Sequence, residues 1–365
     1  MHQFAFRVDA SPQIGIGHVM RCLTLADALR DRGAHCVFLS RGHPSPYTDR
    51  LTRAGHEVHA LSPPPQSPEA AASGLRHAAW LGTDWRTDAE EVRNILASIE
   101  PDWLVVDHYA LDEGWERLVR PQCRRIAVID DLADRPHDCD LLLDQTLGRV
   151  PEEYRSRVPE RCELFMGASH ALLRPEFAEL RPASLARRSA RPPLRHLLVT
   201  MGGVDQANAT ERVLEALTRS ALPTGCRITV VMGASAPWLD SVRGRAGSMP
   251  WPTRVLVDVT DMADLLSETD LSIGAPGTTS WERCCLGVPA LLLVLAENQR
   301  HNASALEAAG AAVVLTEPTP SPASIAAALD SLLHQERLHS MSDAASRITD
   351  GRGASSLAAH LLNES

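Results

Sequence analysis

Short unbroken apolar runs, each followed by a helix-length stretch, recur along this 365-residue chain, and that pattern leaves few folds open. A strand buried on both faces shows no polar–apolar alternation. Both faces are covered only where helices flank a mostly parallel sheet. In the first half the runs predict strands at Phe4–Asp9, Cys36–Ser40, Trp103–Asp107, Ile126–Asp130 and Leu141–Asp144. Helical patterns lie between them at His18–Arg32, stopped by Gly33, and at Asp88–Ile99, opened by a Thr87-x-x-Glu90 capping box. The order resumes with strands at His196–Met201, Ile228–Met232, Val255–Val259, Leu271–Ile273, Ala290–Leu295 and Ala312–Leu315. A helix at Ala209–Ala221 and a helical tail from Ser321 accompany them. Each half opens with strand, glycine-rich loop, helix. The expectation is an α/β chain of two Rossmann-like doubly wound domains, residues 1–180 and 196–365, with a cleft between them. The basic, proline- and alanine-rich segment 181–195 reads as the linker, and 62–68 as a proline-rich loop. Ligands in such sheets bind beyond the carboxyl ends of the strands.

Composition narrows the chemistry. All 36 basic side chains are arginine, because the chain contains no lysine. Schiff-base, Walker A and kinase-type lysine mechanisms are therefore excluded. A net charge of −10 and an aromatic content of 4% argue against a nucleic-acid partner. None of the eight cysteines forms a C-x-x-C pair, and no zinc pattern appears. Scattered thiols suit a reducing cytoplasm, the expected location. The start MHQFAFRVDA lacks a signal-peptide layout, and no apolar run is long enough for a membrane span.

Three strand-to-helix loops carry residues suited to chemistry. In the first, Gly15 and Gly17 let a ligand approach the backbone, and His18 starts the helix. A helix start disfavours the imidazolium, which suits a general base, while capping the helix is the alternative role for His18. The second loop holds Gly202 and Gly203, with Asn208 and Glu211 following; a phosphate site and an ordinary helix start both fit. In the third, the backbone and hydroxyls of Gly277, Thr278 and Thr279 suit a diphosphate, and Glu282 suits two ribose hydroxyls. Thr279-x-x-Glu282 is equally a capping box. Asn298 and Gln299, after a strand, have amides that suit sugar groups or a helix cap. Asp107-His108, Asp130-Asp131 and His137 raise the question of a metal, but one sequence shows no convergence of ligands, and neither metal nor cofactor is expected.

Taken together, these segments resemble a known family. FRVDASPQIGIGHVMRCLTLA at the start, DHYALDEGWE at 107–116, DDLADRPHDCDLLLDQ at 130–145 and ALLRPEF at 171–177 carry the resemblance in the first half. TMGGVDQANAT at 200–210, GAPGTTSWERCCLGVP at 274–289 and AENQ at 296–299 carry it in the second. The chain resembles the UDP-2,4-diacetamido-2,4,6-trideoxy-β-L-altropyranose hydrolases of pseudaminic acid biosynthesis. The resemblance implies a GT-B-like fold and a metal-independent hydrolysis. Water attacks the anomeric carbon with inversion, releasing UDP and the free 2,4-diacetamido-2,4,6-trideoxy-L-altrose. It implies His18 as the catalytic histidine and Tyr109 as a residue that positions water. It implies Arg174, Glu282 and Asn298 as substrate contacts. His170 stands where the family pattern has an aromatic residue. The partner implied is a small UDP-sugar, with neither nucleic acid nor membrane. A GT-B glycosyltransferase using a UDP-sugar donor is the main alternative; a hydrolysing 2-epimerase and a non-catalytic binder are the others.

Overall fold

The computed structural model of the chain describes residues 1–364 apart from 12, 43–44, 46–47, 64–73 and 318. Most of the expected loop at 62–68 lies outside the described residues. The chain divides into two compact units, Met1–Leu173 with Arg352–Ser365, and Arg174–Gly351.

In the first unit, β1 (Gln3–Val8), β2 (His35–Arg41), β3 (Glu57–Leu61), β4 (Trp103–Asp107), β5 (Arg125–Ile129), β6 (Leu141–Asp144) and β7 (Glu163–Met166) form one sheet. Its order is β3-β2-β1-β4-β5-β6-β7, and every pair is parallel. The β1/β4 junction is the point at which the winding reverses. There Val8 is in register with Asp107. The central strands are continuous apolar runs because both faces are covered. One exception is Arg7 in β1, fully buried and neutralised by Asp9 (2.6 and 2.8 Å) and Asp88 (2.8 Å).

The helix Gly17–Arg30 follows β1 and buries residues on most of its circumference. One flank packs on the sheet. Another meets the last helix of the chain, Gly353–Asn363, through Leu357, Ala358 and Leu361. That helix also accepts the Trp103 indole N–H on the Leu361 carbonyl at 3.1 Å. The tail therefore completes the first unit rather than the second, which corrects the expected 196–365 domain.

The second unit repeats the plan. Strands β8 (His196–Thr200), β9 (Arg227–Met232), β10 (Thr253–Val257), β11 (Leu271–Gly274), β12 (Ala290–Leu293) and β13 (Ala312–Leu315) form a parallel sheet in the order β10-β9-β8-β11-β12-β13. Here the winding reverses between β8 and β11, where Thr200 is in register with Gly274.

The expected linker at 181–195 is mostly helix. Pro175–Ser189 is helical and belongs to the second unit. Its arginines hydrogen-bond to carbonyls at neighbouring helix ends. Arg188 donates to the carbonyls of Leu286 (2.8 Å), Thr269 (2.7 Å) and Leu266 (3.1 Å), and Arg181 to those of Cys285 and Ser346 (2.5 and 2.6 Å). Two capping expectations also change. The helix Trp85–Ile99 is capped by Asp84, which accepts from the Arg86 and Thr87 amides at 2.9 and 3.3 Å, not by Thr87. The helix Ala209–Leu217 is capped by Asp205, which takes the amides of Ala209 and Thr210 at 2.9 and 2.8 Å. Among the described residues no helix is long and apolar enough to cross a membrane.

Candidate functional site

The first candidate centre lies where the winding of the first sheet reverses. His18 sits at the start of the helix after β1, and Asp107 is the last residue of the adjacent strand β4. This placement brings His18 Nδ1 to 2.6 Å from Asp107 Oδ1. Arg21, one turn beyond His18 on the same helix, holds the same carboxylate in a fork, with Nε to Oδ2 at 2.6 Å and Nη2 to Oδ1 at 2.7 Å. Asp107 is 1% exposed. Burial alone would raise its pKa. The Arg21 charge, then His18, and the bonds from both override that effect and hold the carboxyl well below the usual carboxylate range.

An ionised Asp107 can only accept. His18 Nδ1 must therefore carry the proton, leaving Nε2 as the basic nitrogen. This is the arrangement in which a carboxylate fixes the tautomer of a catalytic imidazole and stabilises the imidazolium it becomes.

Arg21 continues to Asp131 Oδ2 at 2.5 Å, and the Tyr109 hydroxyl donates to the same oxygen at 2.9 Å. Asp131 Oδ1 has no partner among the described residues. The Tyr109 ring meets the His18 ring edge-on, with centroids 4.7 Å apart. Burial first, then the Asp131 charge, raises the Tyr109 phenol well above its ordinary value, so it stays protonated. Trp80 stacks beside Tyr109 at 5.7 Å and His77 lies at 5.5 Å, forming an aromatic wall.

The residues considered for a metal have other duties. His108 accepts the Ala110 amide at 3.1 Å and lies 3.2 Å from Asp9. Asp130 is bound by Arg135 at 2.8 Å and by Tyr154 at 2.7 Å, and His137 pairs with Glu116 at 2.7 Å. Among the described residues no group of three or more His, Cys, Asp or Glu converges as a metal site.

The other loop of the first unit is open. Gly15 takes φ of +79° and donates its amide to the Ser11 carbonyl at 2.8 Å, and space for a side chain there is empty. Gly17 begins the helix.

The remaining sequence-predicted residues lie in the second unit. Gly202 (φ +91°) and Gly203 follow β8, and the Gly203 carbonyl accepts the Gly233 amide at 3.0 Å. Gly277 and Thr278 are exposed in the loop after β11, and Thr279 opens the short helix Thr279–Cys285. No side-chain cap forms there, so Glu282 is not the closing member of a capping box. Glu282 is half-buried, and burial pushes its carboxyl up against the opposing pull of Arg174 and Arg283. Asn298 is exposed in a turn after β12, whereas Gln299 spends its carbonyl oxygen on the Leu295 amide at 2.9 Å. Arg174 also belongs to this unit, not the first, and donates to the Thr260 carbonyl at 2.8 Å. A cavity of about 600 Å³ opens in the second unit around Val257–Asp261 and takes in none of these loop residues.

The structure thus gathers His18 and Tyr109 in one cluster, and places the Gly202–Gly203 and Gly277–Glu282 loops on the neighbouring strands β8 and β11. Sequence reasoning missed Arg21, and weighed Asp107 and Asp131 only as metal ligands, not as the hydrogen-bond partners of His18, Arg21 and Tyr109. The usable signal for Arg21 was its i+3 spacing from His18.

Comparison with known proteins places these features in context. Residues 196–358 match the family described as glycosyltransferase family 28 C-terminal domain. An uncharacterised protein of Methanocaldococcus jannaschii is 24% identical over 82% of this chain, which spans 57% of that relative's length. A UDP-2,4-diacetamido-2,4,6-trideoxy-β-L-altropyranose hydrolase of Campylobacter jejuni is 24% identical over 84% of this chain and 96% of its own. In three dimensions the chain is similar to MurG of Acinetobacter baumannii, with a TM-score of 0.72 over all of both chains at 16% identity. The fold is α/β, with two parallel-sheet Rossmann-like domains of the kind found in GT-B structures.

Proposed function

We propose that this chain is an enzyme acting on a UDP-sugar, and that the reaction is hydrolysis of UDP-2,4-diacetamido-2,4,6-trideoxy-β-L-altropyranose. The observation that carries a catalytic reading is the 2.6 Å contact between His18 Nδ1 and the buried carboxylate of Asp107. It supplies a base with the right tautomer. His18 Nε2 takes a proton from water as the water oxygen bonds to the anomeric carbon. The bond from that carbon to the diphosphate oxygen breaks, and UDP leaves with the electron pair. Asp107 stabilises the imidazolium, and Arg21 keeps Asp107 ionised and oriented. Tyr109, its proton committed to Asp131, has a lone pair left to accept from the water.

In the second unit the loops at Gly202–Gly203 and Gly277–Thr279 receive the diphosphate, and Glu282 the ribose. UDP is a good leaving group, so stabilisation of its charge matters more than a strong acid. The named Campylobacter relative, aligned over nearly its whole length, supports this substrate.

A second reading is a glycosyltransferase. The match of residues 196–358 to the glycosyltransferase family 28 C-terminal domain, and the likeness of the fold to MurG, favour it. In that case His18 would deprotonate an acceptor hydroxyl instead of water. UDP release from the purified protein, with EDTA and no acceptor, separates the two. Stoichiometric release with free sugar supports the hydrolase; release only upon adding an acceptor supports the transferase.

A further inference from the structure

The buried arginines of this chain are almost all matched. Arg7 meets Asp9 and Asp88, Arg21 meets Asp107 and Asp131, Arg135 meets Asp130, and Arg149 meets Asp144. Arg188, without a bonded carboxylate, spends all three nitrogens on carbonyls.

Arg283 differs. It is 1% exposed, yet no carboxylate bonds it. Only Nη2 has partners, the Ala275 carbonyl at 2.7 Å and Ser280 Oγ at 3.2 Å. Nε and Nη1 have none among the described residues. Burial drives the guanidinium down to about 10, so it still carries its charge at neutral pH. An unpaired buried cation with two idle donors is expensive.

Its place in the fold suggests what the charge is for. The guanidinium lies at the carboxyl ends of β8 and β11, where the winding of the second sheet reverses. A side chain on Gly274 would come within 2.5 Å of Nη1 and of the Thr200 carbonyl. The absence of a side chain at Gly274 is what lets Arg283 lie there. Both of its bonds go to the 274–280 segment, in which Gly277 and Thr278 are exposed, and there is open space at Gly277 and at Gly203.

We propose that Arg283 is the buried counter-charge of an anion site at this loop, and that the anion is the diphosphate of the nucleotide. It works as a positioning residue, fixing the loop through Ala275 and Ser280 and lending it positive potential. The identity of the anion rests on the UDP-sugar reading above; the existence of an anion site does not.

The test is calorimetric titration of the full-length protein and its Arg283→Met and Arg283→Lys variants with UDP, uridine and inorganic pyrophosphate, alongside thermal melting. Arg283→Met should lose about tenfold or more in affinity for UDP and for pyrophosphate, the order expected when one nearby buried counter-charge is removed. Its uridine affinity should be unchanged and its Tm equal or higher, because an unpaired buried charge has been removed. Arg283→Lys should recover part of the loss. Unchanged UDP and pyrophosphate binding in Arg283→Met overturns the proposal. So does a parallel fall in UDP affinity, uridine affinity and Tm, or a failure to fold, since each makes Arg283 a scaffold residue. Wild-type protein that binds pyrophosphate in an Arg283-dependent way but neither UDP nor uridine keeps the anion site and removes the UDP-sugar reading. Wild-type protein that binds none of the three overturns both.

Discussion

Replacing Asp107 by Asn removes one charge from the centre of the candidate site while keeping its shape. The Asp107 carboxylate takes two bonds from Arg21 and one from His18, all within 2.7 Å. In the variant the amide oxygen stays with the charged guanidinium, the stronger donor. The amide NH2 then faces His18 Nδ1, which must become the acceptor. The ring proton moves to Nε2, and the base is lost at the atom where it is needed. A wrong tautomer of this kind is worth roughly 10³–10⁴-fold in rate, or about 4–5 kcal/mol in the barrier. Stability should fall by less, roughly 1–3 kcal/mol, because Arg21 keeps its bond to Asp131. The assay is UDP release at saturating substrate, with UDP affinity and thermal melting as controls. A folded Asp107→Asn protein that binds UDP normally and turns over within about tenfold of wild type would refute the dyad.

Other outcomes follow from the same geometry. Tyr109→Phe should lower turnover by about tenfold with little change in KM, since it loses one hydrogen bond to water and leaves the Asp131 carboxylate held, among the described residues, by Arg21 alone; steady-state kinetics checks this. The Tyr154 hydroxyl lies 2.7 Å from Asp130 and 2.8 Å from Asp144, but one proton can serve only one of them. Burial, with Asp131 adding to it, pushes Asp144 up to about 6. Its folded value lies above the unfolded one, so its contribution is full below about pH 4 and is lost as pH rises through about 6. Asp144→Asn should flatten the denaturation free energy over that window; an unchanged profile contradicts the assignment. A Cβ on Gly353 would collide with the Ala171 carbonyl where the last helix joins the first unit, so Gly353→Ala should cost about 1–3 kcal/mol in urea unfolding.

How much of this was legible in the sequence varied with burial. The central strands stood out because β4 and β5 are unbroken apolar runs. The edge strands β3 and β7, Glu57–Leu61 and Glu163–Met166, did not, because both are partly exposed and carry no such run. The segment 181–195 misled because its arginines look like solvated charge. Their carbonyl partners lie some 80–170 residues away in sequence. The tail misled because nothing local says that a helix after Gly351 returns to the first sheet.

The site shows the same division. His18 was legible from the strand–loop–helix pattern, since that pattern fixes its place at a carboxyl end. Its partner was not: Asp107 is 89 residues away, and only the adjacency of β1 and β4 brings them together. Without the strand order, Asp107-His108 raised only the question of a metal, and nothing in the sequence marked Asp107 as the partner of His18. Arg283 was visible as a residue but not as an anomaly, because an idle donor is a property of packing.

The central claim is that His18 activates water against an anomeric carbon. The most direct test is turnover of UDP-2,4-diacetamido-2,4,6-trideoxy-β-L-altropyranose in oxygen-18 water with EDTA and no acceptor, followed by mass spectrometry. The account predicts one label on the free sugar, unlabelled UDP, and no turnover in His18→Ala. Label on UDP would place the attack at phosphorus and contradict the mechanism. An absence of UDP release from wild-type protein would contradict the hydrolase reading itself.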